Sequence, residues 1–104
     1  MANRFSHMVY FTLKDSSDEA CDTLLAACRK YLDEHPGTDF FGVGRLADTD
    51  RDVVDKGYHV SLHLVFRDRE AHDAYQVAPR HDEFIAEQKD NWETVRVFDS
   101  VLSE

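Results

Sequence analysis

Between Phe5 and Leu13 the side chains alternate in character, with Phe5, His7, Val9, Phe11 and Leu13 on one face and Ser6, Met8, Tyr10 and Thr12 on the other. A period of two with this density of aromatic and β-branched residues predicts a strand. The period then lengthens. Ser16-Ser17-Asp18-Glu19 has the form of a capping box, in which a serine accepts from the third helical amide while Glu19 reaches back. Cys21, Leu24, Leu25, Cys28 and Leu32 recur at helical spacing until Pro36-Gly37 ends the run, which predicts a helix.

Residues 40–46 return to alternation, with Phe41 and Val43 on one face and Phe40, Gly42, Gly44 and Leu46 on the other. Two glycines on one face predict a bulge or a group lying close to the backbone. Residues 47–57 are acidic and lack a period, so they read as a solvated loop. Residues 58–66 predict another strand, with Tyr58, Val60, Leu62, Leu64 and Phe66 on an apolar face and His59, Ser61, His63 and Val65 on a mixed one. A short helix over 69–77 leads to Pro79, which is preset for the first position of a further helix. That helix would turn His81, Phe84, Ile85, Gln88 and Trp92 inward, and a last strand follows over 94–102.

The order βαββαβ, with an extra helical turn, is the split unit of ferredoxin-like α+β folds, in which helices cover one face of a four-stranded antiparallel sheet. Val9, Phe11, Val60, Leu62, Leu64, Val95 and Val97 suit the helix-covered face. The other face carries Met8, Tyr10, Phe40, His59, His63, Val65, Arg96 and Phe98, too aromatic for a solvated surface and too polar for a dry core. A second copy of the chain is the simplest cover, giving a homodimer with Tyr10, Phe40, His59, His63, Val65 and Phe98 at its interface.

A length of 104 residues supports a single domain over 1–104 with one core, too small to enclose a large substrate chamber alone. Twenty-one acidic side chains against twelve basic ones give a formal net charge of −9, which opposes association with nucleic acid and with anionic membranes. The apolar stretch from Met8 to Leu13 lies between His7 and Lys14, far short of the ~20 residues that span a bilayer. It also lacks the form of a secretory signal, so a cytoplasmic protein is expected. Cys21 and Cys28, seven residues apart on one helix, would stand ~10 Å apart along its axis and could not pair.

Four stretches together resemble one family: Ser6-His7-Met8-Val9-Tyr10-Phe11-Thr12-Leu13-Lys14, Phe41-Gly42-Val43-Gly44, the strand from Tyr58 to Phe66, and Ala74-Tyr75-Gln76-Val77-Ala78-Pro79-Arg80-His81. In this order and spacing the chain resembles the stress-responsive A/B barrel domain family of dimeric α+β barrels. The resemblance implies fold and dimer more firmly than any reaction. One branch of that family, the plant polyketide cyclases, carries out acid–base chemistry, and the matching positions here are His7, Tyr75 and His81. Two departures stand out. Ala78 occupies a position where relatives often place a histidine before the proline, and the region of a second cyclase tyrosine holds Cys28.

His7 shares its strand face with Val9 and Phe11, and His81 lies on the apolar side of its helix, so the two rings should approach one another beneath the helices. Behind Pro79, His81 sits near unpaired amides at a helix start, which disfavours its cation, and a neutral imidazole can serve as a general base. Tyr75 could donate to a substrate oxygen or to His81. Val9, Phe11, Leu24, Phe41, Leu62, Phe84, Trp92, Val95 and Val97 would line the pocket, which suits a small apolar or aromatic ligand. Alternatively the two histidines hydrogen-bond each other or nearby backbone groups and simply close one end of the core.

No metal is expected, because the sequence places no carboxylate or cysteine beside these rings, and His59 and His63 stand ~13 Å apart along one strand. His35 and His72 read as solvated helix residues. Asp48-Thr49-Asp50-Arg51-Asp52 lacks the glycine and closing glutamate of a calcium loop, and no phosphate-cradling glycine motif occurs, so no cofactor is expected. Two functions follow: a dimeric ligand-binding or stress-associated domain, or a cofactor-independent enzyme of the polyketide-cyclase or small-monooxygenase kind that uses His7 and His81 as an acid/base pair.

Overall fold

The alternation that opens the chain does form a strand, β1 (Phe5–Leu13), followed by α1 (Asp18–Leu32), β2 (Thr38–Arg45), β3 (Val60–Phe66), α2 (Arg69–Gln76), α3 (Pro79–Gln88), a 3-10 turn (Lys89–Asn91) and β4 (Trp92–Val101). The computed structural model describes residues 3–104, so the first two residues of the expected 1–104 domain lie outside the described residues. The strands form one sheet in the order β2-β3-β1-β4 with every neighbouring pair antiparallel, the ferredoxin-like α+β arrangement.

One sheet face packs beneath the helices. Phe11, Val60, Leu62, Leu64 and Phe66 from the strands are buried against Leu24, Cys28, Leu32 and Phe84 from α1 and α3. Each such large side chain removed from water contributes ~1.5 to 3 kcal/mol, and together these contacts hold the two layers in place. The helical layer stops short of β4. Val9 and Val97 are direct cross-strand partners and therefore share a face, yet Val9 is 5% exposed and Val97 50%. A gap is left open along the β4 edge.

Local chemistry explains the turns. Ser17 caps α1 by accepting from the amide of Ala20, but the reciprocal arm of the expected capping box is absent: Glu19 is one residue too early, and the Ser17 amide donates instead to Asp15 at 2.9 Å. Gly37 takes φ +82°, and a Cβ there would stand 2.5 Å from that of Ala71, so only glycine fits the turn into β2. Gly42 lies under the Phe40 ring, the close approach its position implied, whereas Gly44 faces open space.

Three expectations are corrected. A bend at His59 delays the third strand and turns Tyr58 to the open face, its ring centroid 4.9 Å from that of Tyr10. Trp92 does not extend the last helix but opens β4, and it still packs on Phe84 and Phe11 because the 3-10 turn folds it back. His35 and His72 are buried rather than solvated. His72 lies one helical turn before Tyr75 and shares its inward face, while His35 is drawn in by donating to the carbonyl of Tyr31 at 2.7 Å. Among the described residues no helix is long and apolar enough to cross a membrane.

Candidate functional site

Three elements converge at the open gap. β1 supplies His7, whose ring points beneath the helices and is 5% exposed. α2 starts at Asp68, whose carboxylate accepts from the Ala71 amide at 2.8 Å, and it turns Ala71, His72 and Tyr75 inward. α3 begins with Pro79, which places His81 in the first turn.

Tyr75 is the centre of this cluster. Its ring lies 5.8 Å from that of His7, 4.9 Å from that of His81 and 5.0 Å from that of His35, all in edge-on contact. Tyr75 thus touches both His7 and His81, and the two histidines border the same cavity. His7 also contacts His72, with centroids 5.0 Å apart. Its Nδ1–H donates to Asp99 at 2.6 Å, and Nε2 lies 3.5 Å from the Gln76 side-chain nitrogen.

These surroundings set the protonation states. Burial lowers the pKa of His7 below its ordinary value, the Asp99 carboxylate opposes that change, and His72 adds to it. Burial also lowers His81, with Asp82 opposing, and it raises the Tyr75 phenol. Neutral imidazoles and a protonated phenol thus face one another at neutral pH. The Nδ1 of His81 and the Nε2 of His72 are buried and have no hydrogen-bond partner among the described residues.

The cluster forms one end of a cavity of about 280 Å³. Val9, Phe11, Leu62, Val95 and Val97 face it from the sheet, and Phe84 and Trp92 close its far side. Two residues expected there are elsewhere. Leu24 is buried in the core under α1, and Phe41 packs on the core at the β2 end, with β3 and β1 between it and the gap. Sequence reasoning missed His72, Gln76 and Asp99. The three-residue spacing of His72 from Tyr75 could have located the first, whereas Asp99 reaches His7 only through the β1–β4 register.

On the open sheet face, Tyr10 contacts Phe98 and His63 with centroids 5.8 and 6.1 Å away, and Phe40 pairs with Val65. Phe40 is 54% exposed and Phe98 48%. Arg96 bridges to Asp55 at 3.1 Å and lies over the Phe98 ring, bordering a second hollow of about 360 Å³ with Tyr10 and Tyr58. His59 accepts the Leu13 amide at 3.0 Å, which ties its ring to the end of β1.

The family model described as the Stress responsive A/B Barrel Domain matches residues 5–102. A Dabb family protein with a ferredoxin-like fold from Mesorhizobium loti superposes with a TM-score of 0.80 at 25% identity, covering 98% of this chain and 99% of that one. A dimeric ferredoxin-like protein of unknown function from Thermobifida fusca gives 0.79 at 16% identity over 98% and 93% of the two chains. Hydroxynitrile lyase from Passiflora edulis gives 0.78 at 19% identity over 100% and 97%. No curated protein matches the chain.

Proposed function

The chain belongs to the stress-responsive A/B barrel domain family, and from that premise we propose that it is a cytoplasmic homodimer that binds a small apolar or aromatic molecule in the cavity between sheet and helices. One observation carries the reading: an apolar cavity of about 280 Å³ whose few polar groups, His7, Tyr75 and His81, converge at one end. A filled core would need no cavity there, and a plain surface groove would not gather a buried phenol, a buried imidazole and a half-buried one together. Dimerisation is supported by the exposed Phe40 and Phe98 on a face that would otherwise leave aromatic surface in water, and by relatives described as dimeric. The free, buried Cys21 and Cys28 suit a reducing compartment.

The unpartnered Nδ1 of His81 favours a second reading, that of a cofactor-independent acid–base enzyme. A neutral imidazole can take a proton from a carbon next to a carbonyl, while the Tyr75 hydroxyl donates to the carbonyl oxygen and steadies the charge that develops there. The protonated His81 would then return the proton, while His7, whose contact with Asp99 leaves Nε2 as an acceptor, would hold a substrate hydroxyl.

Chelator-treated protein, screened by NMR against small aromatic carbonyl compounds and phenols, tests both readings. Binding should shift the signals of Val97, Trp92 and His81 together, and His81→Ala should weaken it. Shifts confined to the open sheet face would overturn the cavity assignment. Slow deuterium incorporation next to a ligand carbonyl, lost in His81→Ala, would select the enzyme over the binding domain.

A further inference from the structure

We propose that His7, His72 and Asp99 form a binding site for one divalent transition-metal ion of the Zn2+ or Co2+ kind. The three residues come from β1, α2 and β4, and each offers one ligand atom, all lying within 4.8 Å of one another. Ligand atoms around a tetrahedral zinc stand about 3.3 Å apart, given metal–ligand bonds near 2 Å. The observed spacings bracket that value, from 2.6 Å in the His7–Asp99 pair to at most 4.8 Å across the set, so side-chain rotations suffice to close the site.

His72 separates this reading from a simple histidine–carboxylate pair. Its Nδ1–H donates to Asp73 at 3.0 Å, which fixes the tautomer and leaves Nε2 as a bare lone pair. That nitrogen is buried and has no partner among the described residues. An unpaired buried acceptor is unfavourable, and nothing in the His7–Asp99 contact relieves it. A cation shared by the three residues does, and a carboxylate behind a ligating histidine is the usual support for such a ring.

The charge and access also fit. Two neutral imidazoles and one carboxylate give a nitrogen-rich donor set of net charge −1, matched to borderline divalent ions rather than to calcium or magnesium. His7 and His72 are buried, while the Asp99 side chain is 41% exposed at the β4 edge, giving the ion a path from solvent. All three residues border the cavity that Tyr75 and His81 line, so a free coordination position there would polarise a carbonyl or acidify a water inside it. The proposal stands apart from the ligand reading, which is tested on metal-free protein.

Tag-free protein stripped with a chelator and titrated with Co2+ should show the visible absorption of a low-coordinate site at one ion per chain, displaced by Zn2+. Asp73→Ala, which removes only the support of His72, should weaken binding by ~10- to 100-fold. His72→Ala and Asp99→Ala should weaken it more, with folding of each variant checked by circular dichroism. A Zn2+-induced 15N shift at His72 Nε2 in wild-type protein gives the same answer without any substitution. Absence of stoichiometric binding would overturn the site, as would binding that survives His72→Ala and Asp99→Ala and therefore lies elsewhere.

Discussion

His7 and Asp99 are direct partners in the β1–β4 ladder, and their side chains meet at 2.6 Å on the helix-covered face. The carboxylate therefore holds the neutral ring as the Nδ1–H tautomer and leaves Nε2 as its acceptor. In metal-free Asp99→Ala the His7 tautomer should revert toward Nε2–H, as read from long-range 1H–15N spectra. Stability should change by ~1 kcal/mol or less, because Asp99 is half-solvated. An unchanged tautomer would mean that Gln76, and not the carboxylate, orients the ring.

Tyr75 and His81 touch, yet their truncations should behave differently. Tyr75 is 2% exposed and packs on Phe66, His7 and His35, so Tyr75→Ala should cost ~3 to 5 kcal/mol in urea unfolding. His81 has no side-chain hydrogen bond to lose among the described residues and lies at the cavity rim, so His81→Ala should cost less than ~1.5 kcal/mol while weakening ligand binding. Equal losses would recast His81 as a core plug.

The open sheet face gives a prediction about assembly. Light scattering coupled to size exclusion should report about twice the chain mass at micromolar concentration. Phe98→Asp, which puts a charge beside Tyr10 and Arg96 on the face proposed to pair, should shift the protein toward monomer. Asp50→Lys in the exposed loop should not. A monomeric wild type would leave that face unexplained.

The legible part of the molecule is the part set by local periodicity. Alternation and helical spacing located every strand and helix, because each element buries one face and the side-chain period records which. Asp99 was illegible for the opposite reason: 92 residues separate it from His7, and only the register of two strands brings them together. His72 failed differently. A polar residue on a short helix reads as solvated unless its turn-mate Tyr75 is used to assign the face, and the cost of burying its ring is hidden in contacts to Phe5 and Phe66. Leu24 and Phe41 have the right polarity for a pocket, but the cavity lies at the β4 edge, where the helices end, and polarity alone carries no information about that edge.

Cys21 and Cys28 are unpaired and essentially without solvent exposure. Burial pushes the Cys28 thiol up to about 12, so the reactive thiolate is scarce at any physiological pH. A chromogenic thiol reagent should find both groups free, reacting slowly in native protein and fully on addition of denaturant. Rapid modification of either one before unfolding would mean that α1 separates from the sheet on the timescale of the assay.

Acid should destabilise the protein through the half-buried imidazole of His81. His81 has a folded pKa below its ordinary value because burial disfavours the cation. Above about pH 7.5 the group is neutral in both folded and unfolded chains, and contributes no slope. As pH falls through ~6.5 the unfolded chain takes up a proton that the folded chain does not, so the unfolded state is favoured progressively until pH reaches the lowered folded pKa. The slope is bounded at ~1.4 kcal/mol per pH unit for a histidine that stays unprotonated throughout, and the partial solvation of His81 keeps it below that bound. Urea midpoints of metal-free protein from pH 8 to pH 5 should therefore fall, and fall less steeply in His81→Gln, which cannot take the proton. Parallel curves for the two proteins would show that His81 titrates as a fully solvated group, and such a group could not close the polar end of the cavity.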